Sequence, residues 1–434
     1  MSDVAKTERL FRDLDLLEPI LRALDETGYE KPTPIQSRAI PPLLEGKDLV
    51  GIAQTGTGKT AAFTLPMLDF LAGDPQPPSK RCVSALVLTP TRELAAQIGD
   101  SVKTYGQHLK LRSTVIFGGV GQEPQVRAVR NGVDILIATP GRLLDLCDQG
   151  HVDLSEVEVF VLDEADRMLD MGFLPAVRRV LQMLSEERQS VLFSATMPKD
   201  IVELSKSILK DPVRVEVTPP STTVEKIDQK LLLVEKADKR ALLSHLLNDD
   251  AIERVLVFTR TKHGADRVVK HLRRDGHTAE AIHGNKSQGA RERALSGFRE
   301  GRITTLVATD IAARGIDVDG ITHVVNFDLP NVPETYVHRI GRTARAGREG
   351  VALSFCDVEE RPLLLDIEKS IRLQIPRFGE HPFQSSEPLV RPSEKRPDLQ
   401  PGGRRGGRSK SSNSSRSGRS GGRGRRGSQG RRGR

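Results

Sequence analysis

Two short stretches of this 434-residue chain carry residue types whose order suits phosphate chemistry. The first is Gly56-Thr57-Gly58-Lys59-Thr60, inside DLVGIAQTGTGKTAAFTLPML (48–68). Gly56 and Gly58 let the backbone curl so that successive N–H groups face one anion. The helix expected next adds its positive end. Lys59 would reach the β and γ phosphates of a nucleotide, and the Thr60 hydroxyl would ligate Mg²⁺. The generic form of such a loop opens with glycine, and Ala53 stands there instead. The second stretch is Val161-Leu162-Asp163-Glu164-Ala165-Asp166. A strand ending at Asp163 would bring a carboxylate to the same Mg²⁺, and Glu164 would orient or deprotonate an attacking water. Asp166 fits a simpler role, the N-cap of a helix.

These residues need a scaffold that brings distant loops together. Short β-branched apolar runs recur at 85–90, 133–140, 159–166, 190–196, 254–260, 304–310, 322–327 and 350–355, each followed by polar or small residues or a helical pattern. Unbroken apolar runs read as strands buried on both faces, and their alternation with helices predicts an α/β fold with parallel sheets. Thr89–Arg92, Thr139–Arg142, Asp163–Asp166, Ser194–Thr196 and Thr309–Asp317 all fall at strand C-termini, the edge where open α/β sheets bind ligands. Pro212, Pro219, Pro220 and a Ser/Thr run mark a linker. The expected division is one domain over 1–213, a linker over 214–226, a second domain over 227–372 and a disordered tail over 373–434. Residues 72–80 read as a surface loop, and Pro66 is expected to kink or shorten its helix.

The charge is divided as sharply as the pattern. Lys+Arg 66 against Asp+Glu 58 gives +8 for the whole chain. Residues 401–434 hold eleven Arg, one Lys and no acid, a local +12, so residues 1–400 carry −4. That Arg/Gly/Ser tail has no hydrophobic residue and cannot build a core. It reads as a solvated segment or as an electrostatic RNA tether, in which Arg404, Arg405, Arg408, Arg423, Arg425 and Arg426 would meet phosphates. No run of 18 apolar residues suggests a membrane span, and the N-terminus shows no apolar secretory segment. Three scattered cysteines give neither a disulfide framework nor a zinc site, which suits a reducing cytoplasm.

Taken together, the motifs make the chain resemble the DEAD-box ATP-dependent RNA helicases over residues 8–372. Asp163–Asp166 spells the name of that family, and AQTGTGKT (53–60) matches its phosphate loop, Ala53 included. The resemblance implies two tandem RecA-like domains with ATP bound by Ala53, Gln54, Thr55, Gly56, Thr57, Gly58, Lys59 and Thr60. Phe11 stands 17 residues before GYEKPTPIQ (28–36). By resemblance Phe11 and Tyr29 pack around adenine and Gln36 reads its edge. Gly315 and Asp317 would contact the nucleotide from the second domain, Asp317 at the ribose. Ser194 and Thr196 would couple hydrolysis to strand separation, Arg342 and Arg345 would be arginine fingers, and His338 a link across the cleft. RNA contacts are implied for Pro90, Thr91, Arg92, Gly119, Thr139, Pro140, Gly141, Arg142, Arg260, Gly284, Gln288, Arg291, Thr309 and Asp310. The family usually has glycine where Ala344 stands, a substitution tolerated unless the backbone needs positive φ. Residues 28–36 and 367–377 are closest in wording to the bacterial RhlE-like subgroup.

The resemblance implies RNA-stimulated ATP hydrolysis that unwinds short duplexes or remodels ribonucleoprotein, on ribosomal precursors or within an RNA-degrading complex. Two alternatives remain open: a DNA-directed motor of similar architecture, and an ATP-gated RNA clamp with little turnover.

Overall fold

A computed structural model describes residues 9–54, 56–217, 227–313, 318, 320–344, 350–379 and 381–385. Two parallel sheets, one in each lobe, organise them within a single compact unit. The first contains β1 (Leu49–Ile52), β2 (Val83–Leu88), β3 (Ser113–Ile116), β4 (Val133–Ala138), β5 (Val159–Leu162), β6 (Gln189–Ser194) and β7 (Val213–Glu216), in the order β3-β4-β2-β5-β6-β1-β7. The second contains β8 (Ile227–Leu233), β9 (Val255–Phe258), β10 (Ala279–Ile282), β11 (Thr305–Ala308), β12 (His323–Asn326) and β13 (Gly350–Cys356), in the order β10-β11-β9-β12-β13-β8.

Each strand feeds both faces of its sheet because side chains alternate. Val87, Ile137, Val161 and Phe193 enter one apolar layer of the first lobe, while Leu88, Leu136, Leu162 and Leu192 enter the other. Helices cover both layers, so the strands are apolar throughout. The parallel pairing brings every strand C-terminus to one edge. Residues 89–92, 139–142, 163–166 and 194–196 gather there in the first lobe.

Three expectations are corrected. The Lys59–Gly73 helix runs through Pro66, so the shortening expected there does not occur. The first sheet extends past residue 213, since β7 pairs in parallel with β1 through Glu216; its β-branched valines supply the apolar side that a linker would lack. The tail does not begin at 373. Ile375 is buried, Phe378 and Phe383 pack on the core of the second lobe, and the 376–385 segment bonds β8 through Leu231 and Leu233. Its Pro-rich wording hid three apolar anchors. The Arg/Gly/Ser segment, with its six named arginines, lies outside the described residues, as do Thr55, Gly315, Asp317 and Arg345. No helix among the described residues is long and apolar enough to cross a membrane.

Candidate functional site

A cavity of about 330 Å³ opens at the shared edge of the first sheet. β1 leads into its phosphate loop, whose Ala53 N–H donates to the Ser194 carbonyl at the end of β6 (3.0 Å). Thr57 Oγ1 donates to the Gln54 carbonyl at 2.8 Å and closes the turn. Gly58 has φ +94, and a Cβ there would lie 2.4 Å from Gln36 Nε2. The position therefore needs glycine for space as well as conformation. Gln36 uses that closeness: Nε2 donates to the Gly58 carbonyl (3.0 Å) and Oε1 accepts from Thr33 N–H (2.8 Å). Its amide thus ties the GYEKPTPIQ segment to the phosphate loop. Tyr29, Gln36, Gly56, Gly58, Lys59, Thr60, Asp163 and Glu164 all line the cavity.

Lys59 Nζ donates to the Ala53 carbonyl at 3.0 Å, inside the loop it would leave to reach a phosphate. Asp163 is only 2% exposed. Burial pushes its carboxyl up to about 6; Lys59 opposes the rise and Glu164 adds to it. An acid this buried, with a second acid beside it, suits a bound cation. Thr60 and Asp163 are the residues that could hold one; among the described residues no group of three His, Cys, Asp or Glu could do so unaided. A hard cation that takes its remaining ligands from phosphate and water fits such a sparse donor set.

Glu164 adopts φ 53, a left-handed conformation, and its Oε2 accepts from buried Arg167 at 2.5 Å. Asp166 joins the next strand end: its backbone N–H donates to Ser194 Oγ (3.2 Å), and its Oδ2 accepts from the N–H and hydroxyl of Thr196 (3.0 and 3.1 Å). Ser194 and Thr196 therefore bond the acidic segment and are not among the residues that line the cavity.

The second lobe completes the site. Arg342, after the Pro333–Ile340 helix, lines the same cavity as Lys59, Asp163 and Glu164. His338 and Arg342 also share a narrow cleft with Arg167 of the first lobe. Two further contacts join the lobes. Arg291 Nη2 pairs with Glu93 Oε1 at 2.8 Å, with side chains 12% and 5% exposed, and Arg92 Nη1 donates to Gln288 Oε1 at 3.4 Å.

A DEAD/DEAH box helicase profile matches residues 33–204, and a helicase conserved C-terminal domain profile matches 238–347. The DEAD-box ATP-dependent RNA helicase CshA of Bacillus cereus is 42% identical over 368 residues, 85% of this chain and 69% of that protein. CshA of Bacillus subtilis is 41% identical over 370 residues, 85% and 74% of the two chains. The chain belongs to the DEAD/DEAH box helicase family. Among solved structures, S. cerevisiae Dbp5 bound to RNA and ADP BeF3 has TM-score 0.75 and 34% identity, covering 85% of this chain and 95% of that one. A DEAD box protein from Methanococcus jannaschii has TM-score 0.51 and 37% identity, covering 86% and 100%.

Within this helicase, the expected RNA residues occupy one edge but divide into two groups. Thr91 caps the Arg92–Tyr105 helix, and Thr139 precedes the Pro140–Asp148 helix with Pro140 and Gly141 in its first turn. Arg142 bonds the Val120 carbonyl at 3.1 Å, while its buried Nη1 has no hydrogen-bond partner among the described residues. Gly119 has φ +77, and a Cβ there would strike the Arg92 guanidinium at 2.1 Å. Burial, then the facing charge of Arg291, holds the Arg92 guanidinium below its ordinary value. Pro90 and Thr309 stand at strand ends as expected, and Gly284 follows β10. The second group is spent on protein. Gln288 and Arg291 pair with the first lobe, Arg260 Nη2 bonds Glu360 (2.6 Å) and the Leu329 carbonyl (3.2 Å), and Asp310 is held in a fork by Arg339.

Phe11 is 2% exposed, belongs to the core of the first lobe and is not among the residues that line the cavity. Arg339 was missed. This fully buried side chain bonds Asp310, Asn326 Oδ1 (3.1 Å) and the Asp328 carbonyl (2.6 Å), and stacks over Phe258 at 5.0 Å. Its place in HRIGRTAR was the available signal, overshadowed by Arg342 and Arg345. Tyr105 was missed as well, because nothing local marks a helix tyrosine as a cavity wall.

Proposed function

We propose that this chain is an ATP-dependent RNA helicase in which RNA-stimulated ATP hydrolysis drives local, non-processive unwinding of short duplexes or remodelling of ribonucleoprotein. The observation that carries the reading is the single cavity shared by Lys59, Asp163 and Glu164 of one lobe and Arg342 of the other. Lys59 and the loop amides bind the phosphates, and Glu164 orients or deprotonates the attacking water. Thr60 and Asp163 would hold Mg²⁺, which supplies charge neutralisation between the phosphates when bound. Arg342 stabilises transition-state charge, with Arg345 as the proposed second finger. Gly315 and Asp317 are proposed nucleotide contacts from the second lobe, and His338 a link across the cleft.

RNA lying across both lobes would favour their joined state and so speed hydrolysis; by linkage, ATP raises RNA affinity. The first-lobe contacts are threonine, proline, glycine and arginine groups suited to sugar and phosphate, which supports recognition without sequence preference. The buried, unpartnered Nη1 of Arg142 supports a phosphate there. Cytoplasmic location and membership of the RhlE-like subgroup belong to the same proposal, supported by three free cysteines and by the wording of 28–36 and 367–377.

The test compares ATPase rates without polynucleotide, with RNA and with DNA of the same sequence. The expected result is strong stimulation by RNA alone. Equal stimulation by DNA would favour the DNA-directed motor, full rate without polynucleotide would remove the split-site mechanism, and RNA binding without turnover would favour the clamp. A chain ending near residue 385 should keep stimulation but need more RNA for half its effect, most visibly at raised salt. An unchanged RNA requirement would end the tether reading.

A further inference from the structure

The cavity has a second wall that the motifs do not announce. Leu94, Gln97, Ser101 and Tyr105 line it from one face of the Arg92–Tyr105 helix. Their spacing of three and four residues stacks them along one side. Ser101 Oγ turns back to the Gln97 carbonyl at 3.0 Å. Tyr105, at the far end, is 7% exposed and anchored in the core of the first lobe. Its ring meets that of Tyr29 edge to face, with centroids 6.1 Å apart and planes at 88°. Burial, followed by contact with the Tyr29 phenol, keeps the Tyr105 hydroxyl protonated far above its ordinary range.

Tyr29 needs such a brace. It follows Gly28, which has φ +76, and is 43% exposed. Its backbone is held by one hydrogen bond to the Leu24 carbonyl (2.9 Å), but an exposed ring on a turn otherwise keeps its rotamer freedom. Gln36, by contrast, is fixed at both ends of its amide. A base can be read at hydrogen-bond distance only if the surface it stacks on is also held.

We propose that Tyr105 is a positioning residue for adenine recognition: it holds the Tyr29 ring at the mouth of the cavity so that a stacked base presents its edge to Gln36. The proposal rests on the ATP-site reading above. It accounts for a phenol at the end of a helix whose other surroundings are apolar core. A leucine would fill that core, but it would offer neither an edge-to-face partner nor a hydroxyl.

Fluorescent N-methylanthraniloyl-ADP bound to the full chain can be displaced by ADP and by GDP. Tyr105→Leu should weaken ADP about three- to tenfold and leave GDP within about twofold. Tyr105→Phe, which keeps the ring, should lose only about two- to threefold, again for ADP alone. On a Tyr29→Ala background neither change should cost more, because both act through the same ring. Equal losses for ADP and GDP, or losses that multiply in the double variant, would overturn the proposal. Should Tyr105→Leu lose its cooperative melt, the Tyr105→Phe cycle with Tyr29→Ala decides by the same criteria. A wild-type chain that fails to bind ADP would sink the ATP-site reading itself, an outcome distinct from loss of selectivity in the variants.

Discussion

Both lobes bury charge, and they use it differently. The first buries Asp163, Glu164 and Asp166 together with Lys59 and Arg167, and the second buries Arg339, Lys239 and Arg342 together with Asp357 and Glu360. In the second lobe most of that charge is matched on the spot: Arg339 grips Asp310, and Lys239 pairs with Asp357 (3.1 Å) and Glu360. These pairs shape the lobe. In the first lobe Asp163 is left undermatched, with its carboxyl raised to about 6. Buried charge that is paired holds a shape, whereas buried charge left in deficit awaits a ligand. Arg342 belongs to the second lobe by chain and lines the cavity of the first lobe's acids.

Removing Arg342 should break that division most visibly. Arg342→Ala is expected to lower RNA-stimulated turnover about 10³-fold or more, while ADP affinity changes little because the phosphate loop, Tyr29 and Gln36 all line the cavity from the first lobe. A loss of affinity as large as the loss of turnover would instead make Arg342 a ground-state binding group. Glu164→Gln strikes the other side. Its carboxamide oxygen can still accept from Arg167, so folding and nucleotide binding should survive while turnover falls by about 10²–10⁴. Retained turnover would take the water-activating role away from Glu164.

The contact between Arg291 and Glu93 tests whether the lobes communicate through this pair. Arg291→Ala leaves the buried Glu93 carboxylate without its ion-pair partner. The RNA concentration for half-maximal ATPase should rise about tenfold. Glu93→Ala should do the same, and the double variant should be no worse than either, a non-additivity that double-mutant cycles expose. Additive effects would mean that each residue acts alone, Arg291 on RNA and Glu93 within its own lobe.

What could be read before folding was whatever is local. Gly56–Thr60 and Asp163–Asp166 announce themselves because loop, strand end and chemistry lie within a few residues. The same holds for most strands, as unbroken runs such as Val133–Ala138 look alike in sequence and structure. Pairings across long separations were not legible. Tyr105 meets Tyr29 from 76 residues away, and Arg291 meets Glu93 from 198. The resemblance implied Gln288 and Arg291 as RNA ligands, but a polar residue in the first turn of a helix does not show whether protein or nucleic acid will satisfy it. β3 and β10 are four residues long and polar enough to hide among loops. Phe11 is ambiguous in the opposite sense, since an aromatic near a nucleotide segment can belong to the core.

The smallest expected effect concerns backbone and returns to the two lobes. Each holds a non-glycine residue in left-handed conformation at its site edge: Glu164 at φ 53 and Ala344 at φ 55. Glu164 bears the side chain proposed to act on water, a role that would give its strain a use. The methyl of Ala344 has no comparable task, and the surroundings fix its backbone regardless. Thr343 Oγ1 donates to the Thr322 carbonyl at 3.2 Å, and a Cβ on Gly350 would lie 2.6 Å from the Ala344 nitrogen. Ala344→Gly should release about 1–2 kcal/mol of left-handed strain and return about 0.4–1 of it to the freer unfolded chain. The net gain is about 0.5–1 kcal/mol, a rise of about 1–4 °C in the melting of the second lobe. A fall in Tm would show that Ala344 rests without strain, and the positive φ would then be a property of the Thr343–Gly350 crossing alone.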